Sequence, residues 1–181
     1  MPYEPPPELA SLSLAEIAEL VEARKLPPLD KWEPQETGES HMRIAADGRW
    51  FHDNGEITRP AMIRSFSSLL MRDAKGGHWL VTPYQKLAIE VEDAAFMAVD
   101  VRHEGNGLAF RLNTDDLVIA GPDNPLRVTG DADTPAIYVA VRYGAEARLN
   151  RSTYLQLAGI ALESGTLDVS SLGETFSLVP Q

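Results

Sequence analysis

The sequence predicts an α+β protein whose C-terminal part is a curved antiparallel sheet or partial barrel closed by a helix. Short runs near 86–91, 96–103, 108–113, 116–120, 126–130 and 136–142 have strand character, and Gly, Asn, Asp and Pro clusters separate most of them. A helical pattern at about 151–163, ended by Gly165, follows this meander and can cover the open side of such a sheet. Earlier, the stretch from Gly48 to Leu70, GRWFHDNGEITRPAMIRSFSSLL, reads as strand, tight turn, short strand and amphipathic helix. These features divide the chain into an N-terminal α+β half, 1–84, and a C-terminal sheet-plus-helix half, 85–181.

In order, residues 1–12 read as a Pro-rich arm. Ser13-Leu14-Ala15-Glu16 is a capping box, in which hydroxyl and carboxylate each satisfy a free backbone N–H, and it starts a helix. Leu14, Ile17, Leu20 and Val21 share one face, Arg24 and Lys25 suit the negative C-terminal end, and Pro27-Pro28 stop it. Residues 29–39 form an extended crossing anchored by a buried Trp32. From His41 the period is two, with hairpin signals at Asp47-Gly48 and Asn54-Gly55. Met62, Ile63, Phe66, Leu69 and Leu70 take the spacing of one face of a helix over 59–71. Gly76-Gly77 ends that unit, HWLVT (78–82) is a strand closed by Pro83, and a last strand is expected at about 174–179.

The helix of 59–71 has an echo 92 residues later. Thr58 aligns with Asn150, Arg59 with Arg151, Met62 and Ile63 with Tyr154 and Leu155, and Leu70 with Leu162. Any two capped amphipathic helices share such a pattern, so duplication and coincidence both fit the helices alone. Arg59 and Arg151 each fall in or next to a first helical turn, where a cation opposes the helix dipole by about 0.3–1 kcal/mol. Free N–H groups and a guanidinium also make an anion site there. The alternative is an exposed Arg paired with Glu56 or Glu146.

Net charge is −11, and residues 1–40 hold 9 Asp and Glu against 3 Lys and Arg, so the acidity is concentrated at the start. This argues against general affinity for nucleic acid or anionic membrane, which need clustered cations. The absence of Cys excludes disulfides, thiolate metal sites and a Cys nucleophile and fits a cytoplasmic protein. MPYEPPPE does not read as a secretory signal, and no run approaches the roughly 20 apolar residues of a membrane span.

No metal or other cofactor is expected. His41, His52, His78 and His103 share no metal-ligand spacing. Asp131-Ala132-Asp133 breaks from a calcium loop at Pro135 and reads as a polar turn, and Asp115-Asp116 as turn and strand-edge charge. Neither a nucleophile elbow nor a phosphate loop is present. Two clusters could contact a ligand. Trp50 and His52 lie two residues apart on one strand face, against the alternative of a core Trp with a partly exposed His. Thr82-Pro83-Tyr84-Gln85-Lys86 lies where the halves join, against the alternative of a strand-ending Pro with a solvated Lys.

LVTP-x-x-K-x-x-I-x-V-x-D-x-x-F is carried here by Leu80, Val81, Thr82, Pro83, Lys86, Ile89, Val91, Asp93 and Phe96. With NTDDLVIAGPDNPLRV and the segment from Val141-Arg142-Tyr143 through Arg148 to Arg151, it resembles a bacterial family known as domain of unknown function 1285. The likeness spans about residues 13–180, with Gln85 departing from an expected acid. The resemblance implies two related α+β halves, the second superficially like a pleckstrin-homology fold. It also implies a cleft between them for a nucleotide-like ligand, and a role in signal transduction. On this reading the protein is a non-catalytic binder of a small anionic ligand. Trp50 and Tyr84 would stack on it, Arg59, Arg151 and Lys86 would hold its charge, and His52, Thr82 and Arg142 would supply hydrogen bonds. The alternatives are a hydrolase or transferase acting on a phosphorylated metabolite with His52 as base, and a docking module for a partner peptide or a second copy of the chain.

Overall fold

The capping box forms as expected. In the computed structural model, which describes residue 5 and residues 7–180, Ser13 Oγ accepts from Glu16 N–H at 3.1 Å and Glu16 returns the bond to Ser13 N–H. Helix α1 (Leu14–Ala23) follows, but only Ile17 on its apolar face is fully buried. Where the sequence reads as an arm without an element, its described part holds one short element. Leu9–Ser11 is a 3-10 turn with Leu9 fully buried, and Arg102 donates to the carbonyls of Leu9 and Ala10. Leu9, Leu12 and Ile17 form a small core with Ala109 and Leu117, so this N-terminal segment lies on the second half. Trp32 is half-buried.

The first sheet contains β1 (Glu36–Ile44), β2 (Trp50–His52), β3 (Gly55–Ile57), β4 (Leu70–Arg72), β5 (His78–Val81) and β6 (Gln85–Val91), in the order β3-β2-β1-β6-β5-β4. Two antiparallel three-strand meanders are joined by the parallel pair β1–β6. The second sheet contains β7 (Phe96–Glu104), β8 (Gly107–Leu112), β9 (Leu117–Ile119), β10 (Leu126–Gly130), β11 (Pro135–Arg142) and β12 (Ala145–Leu149). Its order, β9-β8-β7-β12-β11-β10 with β7 and β12 parallel, repeats the first. The core is therefore duplicated, and one of the sheets curls into a half-barrel. β6, which the sequence reading assigned to the C-terminal half, is hydrogen-bonded into the first sheet. A hairpin of β13 (Asp168–Ser171) and β14 (Glu174–Ser177) ends the described chain.

The helices are not the repeated part. Helix α2 (Pro60–Ser67) joins β3 to β4, between meanders, whereas α3 (Arg151–Glu163) follows β12, after both meanders. The echo between Arg59 and Arg151 thus pairs helices at different places in the two topologies. α2 also ends sooner than expected. Ser67 and Ser68 hydroxyls donate to the carbonyls of Arg64 and Ser65, and Leu70 pairs with Leu80 in β4 rather than extending a helical face. β12 and β13 were not read from the sequence. Among the described residues no helix is long and apolar enough to cross a membrane.

One apolar cluster runs through both halves, from Ile44, Trp50, Leu70 and Leu80 to Phe96, Phe110, Leu112, Val139 and Leu157. Two glycine turns mark where the halves touch. Gly48, at φ +90, gives its carbonyl to Asn113 Nδ2 at 3.2 Å. Gly144, at φ +78, lets the β11–β12 turn approach β4, where Arg72 N–H donates to Tyr143 O at 2.8 Å. A Cβ on Gly144 would sit 2.5 Å from the Arg72 carbonyl oxygen. Gly144→Ala is accordingly expected to lower unfolding stability by about 1–3 kcal/mol through strain and displacement of this contact, as measured by urea denaturation.

Candidate functional site

Asp116, read from the sequence as edge charge, is buried between the halves, with its side chain 3% exposed. Thr114 Oγ1 donates to it at 2.8 Å and Arg24 Nε at 2.7 Å, from the end of α1. Arg142 of β11 reaches it at 3.3 Å and Arg64 of α2 at 3.6 Å. Three guanidiniums from three segments thus face one carboxylate. Burial raises the Asp116 pKa, but the Arg142 charge and the Arg24 hydrogen bond outweigh it and hold the carboxyl below its ordinary value. Arg142 shows the other side of the imbalance. Burial lowers its pKa, Asp116 opposes that, and the Arg24 and Arg64 charges reinforce it. Its Nε is buried without a hydrogen-bond partner.

A second knot forms around Glu146. Glu146 of β12, 15% exposed, accepts from Arg72 of β4 at 3.1 Å and from Arg127 of β10 at 2.9 and 3.0 Å. Arg127 also stands 4.3 Å over the Tyr138 ring. Between these groups is a recess of about 350 Å³ lined by Arg72, Asp123, Arg127, Arg142, Tyr143 and Glu146. Three guanidiniums against two carboxylates make it cationic within an acidic chain. Its lining holds no His, Lys, Ser or Thr. His78, paired with Arg72 across β4 and β5, has its pKa lowered by burial and then by the Arg72 charge.

Of the eight residues proposed from sequence, only Arg142 lines this recess. Trp50 is fully buried and stacked on Phe66 at 6.5 Å, so its ring has no face for a ligand. His52 is exposed, with Nε2 3.5 Å from Asp53; the positive φ of Asp53 turns that residue off the strand and brings the neighbours together. Arg59 is the exposed N-cap residue of α2, the place expected for Thr58, while Asn150 caps α3 by accepting from Thr153 N–H at 2.8 Å. Arg151 is exposed on a different recess, with Ser152, Leu155 and Gln156. The acids offered as their partners are engaged elsewhere, Glu56 with Arg49 and Glu146 with Arg72 and Arg127. Thr82 Oγ1 closes its own turn by accepting from Gln85 N–H and Tyr84 N–H; Tyr84 is 80% exposed. Lys86 lies 4.3 Å over the Trp79 ring rather than against an acid.

Sequence reasoning missed Arg24, Arg72, Asp116, Arg127 and Glu146 as members of one site, because they come from separate elements. The signal within reach was alternation in AEARL, which identifies β12 and sets Glu146 on the face opposite Ala145 and Ala147. The Asp131 turn is as expected, its carboxylate accepting from Asp133 and Thr134 N–H. Another recess of about 300 Å³, lined by His103, Ser164, Asp168 and Ser170 among others, lacks the charge excess. Its Ser164 and Ser170 hydroxyls are bonded to Ala161 O and Thr175.

Residues 27–94 match the family model described as domain of unknown function (DUF1285), N-terminal domain, and residues 95–178 match that of protein of unknown function (DUF1285), C-terminal domain. A crystal structure of a DUF1285 family protein from Silicibacter pomeroyi DSS-3 is similar at 38% identity, covering 94% of this chain and 97% of that one, with a TM-score of 0.77. A second, from Shewanella baltica OS155, is 21% identical over 65% of this chain and 90% of that one, with a TM-score of 0.55, and shows likeness of fold. No curated protein matches the chain.

Removing the Asp116 carboxylate leaves buried guanidiniums uncompensated, so Asp116→Ala is expected to cost about 3–5 kcal/mol in urea denaturation. Because the folded-state pKa of Asp116 is depressed, its stabilisation is full above the ordinary value of 3.8 and is lost as pH falls through the lower folded value. His78 acts at a higher pH. Folding favours its neutral ring, so stability is full above 6.5 and is lost as pH falls through the lower folded value. In stability measured against pH, His78→Gln should flatten the region just below 6.5 and leave the more acid loss in place.

Proposed function

This chain belongs to the DUF1285 family, and from the recess between its halves we propose that it is a non-catalytic protein that binds a small anionic ligand there. The carrying observation is the excess of guanidinium over carboxylate at the seam, where Arg72, Arg127 and Arg142 line one recess. Guanidinium forks suit phosphate oxygens, and partial burial strengthens charge-assisted bonds relative to open solvent. A volume of about 350 Å³ lies in the range of small-molecule sites, and Tyr143 adds an aromatic side chain suited to a flat group such as a base. Phosphorylated metabolites and nucleotides are the ligand class. The lining lacks His, Lys, Ser and Thr, and its Glu146 carboxylate is held by Arg72 and Arg127, which supports binding rather than turnover.

Since the arginines come from both halves, a bound anion would draw β4 toward β10 and β11. That coupling suits a sensor in signal transduction, which we place in the cytoplasm on the strength of the Cys-free sequence.

A thermal-shift screen over nucleotides and other phosphate compounds tests this reading. Ligand at about 100 times its dissociation constant should add roughly 2.7 kcal/mol of stability. Arg127→Ala, at a half-exposed position, should abolish the response with the circular dichroism spectrum unchanged. A flat screen at millimolar ligand, or an undiminished response in Arg127→Ala, would contradict it.

A further inference from the structure

Helix α3 is apolar on two sides. Leu157 and Ala161 face the core, yet Leu155 is 58% exposed and Leu162 63% exposed on the opposite side. The outward stripe consists of Arg151, Ser152, Leu155, Gln156, Gly159, Leu162 and Glu163, all exposed. It has no acid in its first turn and no base in its last; instead Arg151 stands at the positive end of the helix dipole and Glu163 near the negative end. Both charges are misplaced for a helix with nothing beside it.

The stripe is complementary to itself when reversed. In an antiparallel pairing centred on position 157, Arg151 meets the second copy's Glu163, Ser152 meets its Leu162, and Leu155 meets its Gly159. Each large apolar side chain faces a small residue, and each end charge faces its opposite and the helix end that favours it. Gly159 is open enough to receive the leucine, since a Cβ there would have no atom within 4 Å. Beside Leu155 and Ser152 lies the shallow recess lined also by Arg151 and Gln156, which offers room for the second copy's Leu162.

We propose that the outer face of α3 docks a second copy of this chain, helix against antiparallel helix about a two-fold axis. A two-fold contact must use the same patch on both chains, and this stripe meets that demand residue by residue. The contact is small beside the roughly 800 Å² per partner of a standard interface, so the association is weak and concentration-dependent. It uses none of the residues that line the inter-half recess.

Sedimentation velocity over a concentration series up to about 100 μM, well into the range of weak complexes, tests the proposal. The wild-type chain should shift from monomer to dimer. Gly159→Leu has space in the monomer and improves helix propensity, so it should fold normally yet weaken dimerisation at least tenfold. Arg151→Glu should also dissociate the dimer, and Arg151→Glu with Glu163→Arg should restore it. A wild-type chain that stays monomeric throughout the series overturns the proposal and leaves the face to another partner or to solvent. A dimer indifferent to both Gly159→Leu and the charge reversals overturns it equally.

Discussion

One carboxylate fixes how the chain closes on itself. Asp116 collects Arg24 from the N-terminal segment, Arg64 from the helix between the first-sheet meanders, and Arg142 from the second sheet. Without that charge the three cations would repel one another across the seam. With it, α1, α2 and β11 are tied to one point, while the shared apolar core provides the non-directional part of the association. A buried ion pair with imperfect balance is a modest source of net stability, because desolvation offsets much of the attraction. Its value here is registry: it specifies which residues meet.

The same imbalance connects architecture to chemistry. Each half joins two meanders through a parallel strand pair, and that topology sets β4 at one edge of the first sheet. The β11–β12 turn meets this edge beside Gly144, where Arg72 N–H donates to Tyr143 O. Arg72, Arg127 and Arg142 then converge because the turn and the edge converge. A cationic recess arises in a chain of net charge −11 without any local run of basic sequence.

Features set by neighbours in sequence were legible in it. The capping box at Ser13, the Asp47-Gly48 hairpin and the extent of α3 follow from contacts within a few residues. In sequence α2 looks longer than it is, because Leu69 and Leu70 fit a helical period, while pairing with β5 decides the conformation of Leu70. Trp50 illustrates a different limit: alternation correctly sets it on one strand face, but only packing against Phe66 shows which face is the core. The duplication resides in the strand order, which sequence periodicity does not encode, and not in the helices that echo each other in sequence. In sequence Asp116 looks like edge charge because its partners at 24, 64 and 142 are distant along the chain. Burial and long-range convergence, which decide between surface charge and site, are properties of the folded chain.

The most direct measurement is a crystal structure of the protein with tungstate, a phosphate-like anion located by its anomalous scattering. Tungstate bound in the recess by Arg72, Arg127 and Arg142, with both halves ordered around it, is the expected result. Anion bound instead at the starts of α2 or α3, beside Arg59 or Arg151, or an empty recess at saturating tungstate, would contradict the assignment of the seam as the ligand site.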